Sequence, residues 1–176
     1  ADLPEYQHLS DAAFKTVMWN KATATTAVPN GSMGFRYSED GAGQWNLELG
    51  DIEPALTLHG DADAEAVEVA LPCFEDPRGE GSIIKRGVPT RRIGNKLVTT
   101  VFDLMLAQYG VEREGLPGQW PSGYDDVNTP YTPAWQAEIT SVPAEACIRT
   151  ARQFAQNSEE SKGRTMIIIG AGICHW

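Results

Sequence analysis

Near its carboxyl end the chain carries an unbroken apolar run, Met166-Ile167-Ile168-Ile169, that leads straight into Gly170-Ala171-Gly172. The preceding stretch opens at Pro143 and repeats apolar residues at helical spacing, with Cys147, Ile148, Ala151, Phe154 and Ala155 on one face. An amphipathic helix followed by a strand without polar alternation is the pattern of an α/β unit, whose strands are covered on both faces. The pairing predicts a buried strand over 165–169 and a mixed α/β fold. In open α/β sheets, ligands bind beyond the carboxyl ends of the strands. Glycines there let backbone N–H groups approach a phosphate or another polar cofactor group. Gly170, Ala171 and Gly172 are therefore candidate cofactor-binding residues; a tight strand-to-helix turn packed on its neighbour explains them equally. His175, just beyond, can donate to an anion, relay a proton or bind a metal, or it can be a core histidine bonded to backbone. Cys174 reads as a small buried hydrophobe.

The chain divides into two parts. Residues 1–95 are rich in turns and short β-type runs. Phe14–Trp19 alternates apolar and polar residues, as do Trp45–Leu49 and Ala66–Leu71. Asn30-Gly31 is a turn signal ahead of a candidate strand at Met33–Tyr37, so 33–49 reads as a hairpin. Residues 96–176 are helical and then return to a strand. Thr100 and Asp103 form a variant capping box, with Val98, Val101, Phe102, Met105 and Tyr109 at helical spacing and Gly110 as a stop. Thr132-Pro133 begins a short helix through Trp135, with proline at the first helical position, and Pro143 begins another. Residues 111–131 read as a long, packed loop.

Other candidate chemistry is sparse. Asn30 with Arg36 can present an amide and a guanidinium to an anion, but a hairpin turn accounts for them better. Lys85, Arg86, Arg91, Arg92 and Lys96 cluster in a way that could dock an acidic partner or a phosphate tail, but a solvated face balancing the acidic run before it accounts for them better; the stretch around Asp61, Asp63 and Glu65 reads as a solvated loop. Asp125 and Asp126 are adjacent carboxylates without a third ligand in view, which favours a turn role. No metal ligand set is apparent. Cys73, Cys147 and Cys174 are widely spaced and contain no C-x-x-C, which argues against a zinc ribbon, an iron–sulfur run or a disulfide framework and suits a reducing compartment. The formal net charge of -10 argues against a nucleic-acid groove built on clustered cations, though not against a local anion site. No run approaches the roughly 20 apolar residues of a membrane span. The chain lacks an initiator Met and stops at His175-Trp176, directly after apolar sequence. The expectation is an internal fragment of a larger chain.

Several segments together resemble respiratory nitrate reductase alpha subunits, within the molybdopterin oxidoreductases. They are Val28–Arg36, Leu97–Leu104, Tyr131–Trp135, Ile139–Glu145 continuing to Ala151–Ala155, and Gly163–Gly172 followed by His175-Trp176. The resemblance implies a partial molybdopterin-oxidoreductase domain and an oxidoreductase that reduces nitrate to nitrite. It implies a molybdenum bis-molybdopterin guanine dinucleotide centre and a [4Fe-4S] cluster, with the molybdenum ligand and cluster ligands upstream of this region. It implies an iron–sulfur beta subunit and a membrane cytochrome b gamma subunit as partners, electrons from quinol, and a place at the cytoplasmic face of the inner membrane. Gly170-Ala171-Gly172 matches the loop that approaches the pterin cofactor, and His175 matches a histidine near the substrate pocket. Many relatives carry Asn where this chain has Cys174. On this reading the fragment alone is inactive.

Two other readings compete. One is an NAD-type dinucleotide-binding α/β enzyme, disfavoured because the glycine loop has no following helix or acidic residue in this chain. The other is a non-catalytic acidic interaction domain, which predicts polar ends.

Overall fold

A computed structural model describes residues 17–29, 49–73 and 83–168. They fall into two compact units, residues 1–58 and 59–176. Both strands and helices are present, as the sequence predicts.

In the first unit, β1 (Met18–Asn20) and β2 (Thr25–Ala27) form an antiparallel hairpin with Met18 opposite Ala27. The alternation read over Phe14–Trp19 thus ends in a strand, although 14–16 lie outside the described residues. Asn20 is buried, and its Oδ1 accepts from the backbone N–H of Ala22 at 3.1 Å and of Glu53 at 3.0 Å. A buried amide must find partners, and here it uses them to tie the 49–55 segment to the hairpin. The tie is reinforced by Lys21 N–H to Glu53 O at 2.9 Å and Ala55 N–H to Trp19 O at 2.8 Å. The hairpin expected over 33–49, with Asn30 and Arg36, lies outside the described residues apart from Leu49.

The second unit is organised by a three-stranded antiparallel sheet in the order β3-β4-β5. The strands are β3 (Glu65–Pro72), β4 (Ile83–Ile93) and β5 (Lys96–Val98). β3 matches the predicted strand, and β4 was not foreseen. Its sequence, with Lys85, Arg86, Gly87, Pro89, Arg91 and Arg92, has the charges, glycine and proline that argue against a central strand. Two local arrangements make it one. β5 pairs only with Arg91–Ile93, so Pro89 interrupts no ladder on that edge; there its carbonyl accepts from the Thr99 hydroxyl at 2.6 Å. At the other half of the same edge, the loop after α1 runs alongside β4. Gly87 N–H donates to Pro117 O at 2.5 Å, Gln119 N–H donates to Lys85 O at 2.9 Å, and Arg86 and Gly118 form a bridge. The predicted packed loop therefore extends the sheet.

The helices are α1 (Val101–Gln108), α2 (Pro133–Thr140) and α3 (Ala144–Glu160). The predicted starts of α1 and α2 hold, and α3 begins one residue later than expected, with Pro143 at the cap position. Thr100 caps α1 by accepting from Asp103 N–H, and Thr132 caps α2 by accepting from Trp135 N–H, both at 3.0 Å. α2 continues five residues past its expected end at Trp135. The core comprises Leu71, Cys73, Ile84, Val88 and Ala107, with Val69, Trp120 and Tyr131 packed against it. Tyr131 takes a left-handed conformation, φ 74°, costly for a bulky residue. Its ring sits edge-on to Tyr109 and Trp135, with centroids 5.6 and 5.4 Å away.

Two points separate the structure from the sequence pattern. Val101, Met105 and Tyr109, read at helical spacing, are exposed; Asp103 and Ala107 are the buried positions of α1. The periodicity marks an apolar stripe, but the polar contacts described below decide which stripe faces the sheet. In addition, the strand expected over 165–169 does not form: Thr165–Ile168 pair with no strand among the described residues, and Met166, Ile167 and Ile168 are exposed. A run that is apolar on both sides needs neighbours along its edges and layers on both faces, and the described residues supply neither.

Gly118 is a test of the sheet extension. A Cβ there would lie 2.6 Å from Arg86 Cα and 2.8 Å from Lys85 O, whereas one at Gly60 meets nothing within 4 Å. Both glycines have positive φ, 136° and 89°, so backbone strain is common to the two. Gly118→Ala is expected to cost about 1–3 kcal/mol more than Gly60→Ala, measured by denaturant unfolding. Equal losses would show that the loop does not press on β4.

Candidate functional site

Gly170, Ala171, Gly172, Cys174 and His175 lie outside the described residues, so the structure describes only the approach to them. α3 ends in a tight reversal. Gly163, at φ 85°, donates to Ser158 O at 2.7 Å, and Arg164 N–H donates to Ser161 Oγ at 3.1 Å. Asn157 Nδ2 then donates to Thr165 Oγ1 at 2.6 Å, setting the start of the apolar run beside the helix. Left-handed backbone of this kind suits glycine, the common helix-ending residue.

The basic cluster does not form one solvated face. Lys85, Arg92 and Lys96 are exposed, but Arg86 is completely buried. Its Nη1 donates to Ala107 O at 2.7 Å and Gln108 O at 2.9 Å, and its Nε donates to Gln119 O at 2.8 Å. The guanidinium lies 5.5 Å from the centre of the Trp120 ring. Burial lowers the Arg86 pKa, with Tyr131 and Cys73 acting in the opposite direction; a guanidinium nevertheless stays charged. Two of these carbonyls, Ala107 O and Gln108 O, belong to the last turn of α1, where the helix dipole is negative. α1 carries no basic residue of its own in that turn. The cation comes instead from β4. Arg91 lies at the sheet's other end, 3.6 Å from Asp61 and 3.3 Å from Asp63, so the acidic loop is partly paired rather than wholly solvated.

The first turn of α1 holds a complementary charge. Asp103 is fully buried, accepts from the Thr100 hydroxyl at 2.8 Å and pairs with Arg113 Nη1 at 2.6 Å. The predicted capping box is thus joined to the chain that follows the helix, an ion pair absent from the sequence reading because Arg113 carries no local signal for it.

Asp126 organises the 122–132 loop. Its carboxylate accepts from Ser122 N–H and hydroxyl, Asn128 N–H, and Thr129 N–H and hydroxyl. These bonds, that from the Ser122 backbone foremost, hold its pKa well below the usual carboxylate range. The turn role expected for this pair of aspartates is what Asp126 performs.

A cavity of about 310 Å³ opens beside β3, lined in part by His59, Asp61, Glu65, Pro89 and Glu114. His59 Nε2 lies 2.9 Å from Glu114 O, and because a carbonyl only accepts, that nitrogen carries the proton. Among the described residues, no group of three or more His, Cys, Asp or Glu is placed to hold a metal. No helix there is long and apolar enough to cross a membrane.

The chain is similar to one segment of nitrate reductase alpha subunits. It is 55% identical over 170 residues to the nitrate reductase alpha subunit of Mycobacterium tuberculosis, a match covering 94% of this chain and 14% of that protein. It is 40% identical over 173 residues to the nitrate reductase alpha chain of Bacillus subtilis, and 40% identical over 184 residues to respiratory nitrate reductase 1 alpha chain of Escherichia coli; each match covers 93% of this chain and 14% of the relative. The chain thus spans about one-seventh of the curated relatives it matches. No family model matches it, and no solved structure does.

Two substitutions probe these polar centres. Arg86→Met removes the guanidinium that donates to Ala107 O, Gln108 O and Gln119 O and is expected to cost about 3 kcal/mol or more. Arg86→Lys should recover less than half of that, because an ammonium cannot reproduce the fork; full recovery in denaturant unfolding would mean that charge alone matters. Asp126 has a folded pKa below its unfolded value of about 3.9. It therefore stabilises the fold above about pH 4, and the contribution fades as pH falls further toward the folded pKa. The stability gap between wild type and Asp126→Asn should shrink with acidification in that window. A gap independent of pH would contradict the assignment.

Proposed function

We propose that this chain is a segment of the catalytic alpha subunit of a respiratory nitrate reductase, and that the whole subunit reduces nitrate to nitrite. The observation that carries this reading is the alignment over 94% of the chain at 55% identity with the Mycobacterium tuberculosis subunit. A chance or fold-only likeness does not reach 55% identity over 170 residues. The proposal includes a molybdenum bis-molybdopterin guanine dinucleotide centre and a [4Fe-4S] cluster. It also includes an iron–sulfur beta subunit, a cytochrome b gamma subunit that supplies electrons from quinol, and attachment through these partners to the cytoplasmic face of the membrane.

On the resemblance, we assign the ligands of molybdenum and of the iron–sulfur cluster to polypeptide upstream of this region. When bound, the molybdenum centre supplies the oxygen-transfer and redox chemistry. Within that scheme, residues 1–95 form a turn-rich β segment and 96–176 form part of an α/β cofactor domain. Gly170, Ala171 and Gly172 let main chain approach the pterin, as glycine permits. His175 stands at the substrate pocket, where a protonated imidazole provides both a donor and a positive charge for a small anion. Cys174, a weak donor, replaces an amide at the adjacent position.

The whole subunit is expected to bind molybdenum and to reduce nitrate with reduced viologen, and residues 1–176 alone to do neither. Nitrate reduction by the isolated chain would remove the basis for placing the ligands elsewhere. His175→Ala in the whole enzyme is expected to lower kcat/KM for nitrate about tenfold or more, equivalent to ~1.4 kcal/mol of transition-state stabilisation. Unchanged turnover and nitrate affinity would return His175 to a structural role.

A further inference from the structure

α3 carries a sharply divided surface that nothing among the described residues covers. Cys147, Ala151, Phe154 and Ala155 are exposed along one face, and Ile148 is half-buried. The polar face holds Glu145, Arg149, Arg152, Gln156 and Glu159. A helix with this division is made to lie against a partner. Beside it, fixed by the Asn157–Thr165 hydrogen bond, are Met166, Ile167 and Ile168, which are 79%, 74% and 84% exposed. Ile139 and Val142, at the end of the neighbouring α2, are 43% and 46% exposed. So much exposed apolar surface on neighbouring elements is rare on free-standing proteins and marks an interface.

We infer that this surface is an internal packing face of the alpha subunit, covered by apolar polypeptide of the same subunit from outside residues 1–176. The inference rests on the nitrate reductase reading and goes beyond it by naming the face and its occupant. Two observations favour that occupant. First, the relatives match this chain almost from end to end, yet it makes up only 14% of their length. Most of what surrounds the segment in such a protein is the same polypeptide, held at high effective concentration by covalent connection. Second, Met166, Ile167 and Ile168 are consecutive. Successive side chains point in different directions, so one flat partner face cannot cover all three. A two-fold contact between copies offers one patch to one patch. Enclosure from more than one side requires the interior of a larger fold.

Cys147 on α3 is an exposed thiol and serves as the probe. The whole alpha subunit, prepared without its partner subunits, is treated with N-ethylmaleimide, and modification of the peptide carrying Cys147 is followed by mass spectrometry. Cys147 is expected to react at least about 100-fold more slowly in the native subunit than in the denatured one, independent of protein concentration. Backbone amides of 165–168 should show matching protection from hydrogen exchange. Rapid labelling with unprotected amides in the lone subunit overturns the inference, whether the face stays open in the assembled enzyme or closes only there, under another subunit. Protection that disappears on dilution overturns it in favour of a second copy. Nitrate reduction with reduced viologen is measured on the same preparation. Its loss would refute the functional reading, while the labelling result would still decide whether the face is internal.

Discussion

A single buried guanidinium holds the second unit together. Arg86 leaves the central strand, passes under the Trp120 ring and donates to backbone carbonyls at the end of α1 and in the loop beyond it. Burying such a group costs several kcal/mol unless its donors are met. Here Nη1 and Nε meet backbone carbonyls at the negative end of the helix dipole and in the loop beyond, while Nη2 meets no hydrogen-bond partner among the described residues. The rest of the unit follows from this contact. The loop must lie close enough to β4 to offer Gln119 O, which demands glycine at 87 and 118. The helix must turn Ala107 toward the sheet, which leaves Val101 and Met105 outside.

The opposite end of α1 is held by the inverse arrangement. Asp103 is buried in the first turn, where the helix dipole is positive, and Arg113 returns from the following loop to meet it. α1 is thus short, eight residues, and fixed at both ends by charges, two of them brought in by other segments. Isolated helices of that length are marginal in water. Its position owes more to polar contacts than to an apolar stripe, which is why its most regular apolar spacing faces outward.

The segments that resemble nitrate reductases include the joints of this architecture. Leu97–Leu104 supplies β5, the Thr99 bond to Pro89 and the α1 cap. Tyr131–Trp135 supplies a left-handed tyrosine wedged between two rings, a capping threonine, a proline at the first helical position and a buried tryptophan. In each, several constraints fall on adjacent residues, so few substitutions satisfy all of them. A recurring motif here reflects geometry that must be kept for neighbouring elements to meet.

Features that depend on near neighbours were legible along the chain. Thr100 and Thr132 cap helices through N–H groups three residues away, Pro133 starts α2, Gly110 ends α1, the β3 run alternates, and Asp126 closes its own loop. The chain also carried the resemblance, because a motif is a linear object. Tertiary structure decided what depends on residues far apart in the chain. β4 reads as a poor strand until the 117–119 loop and β5 arrive at its edge, and Arg86 reads as a surface charge until α1 presents its carbonyls. The Ile-rich run and the α3 face show the same division. Their apolar character is written locally, but whether they are buried is settled by what packs against them, and hydrophobic burial is non-directional and names no partner.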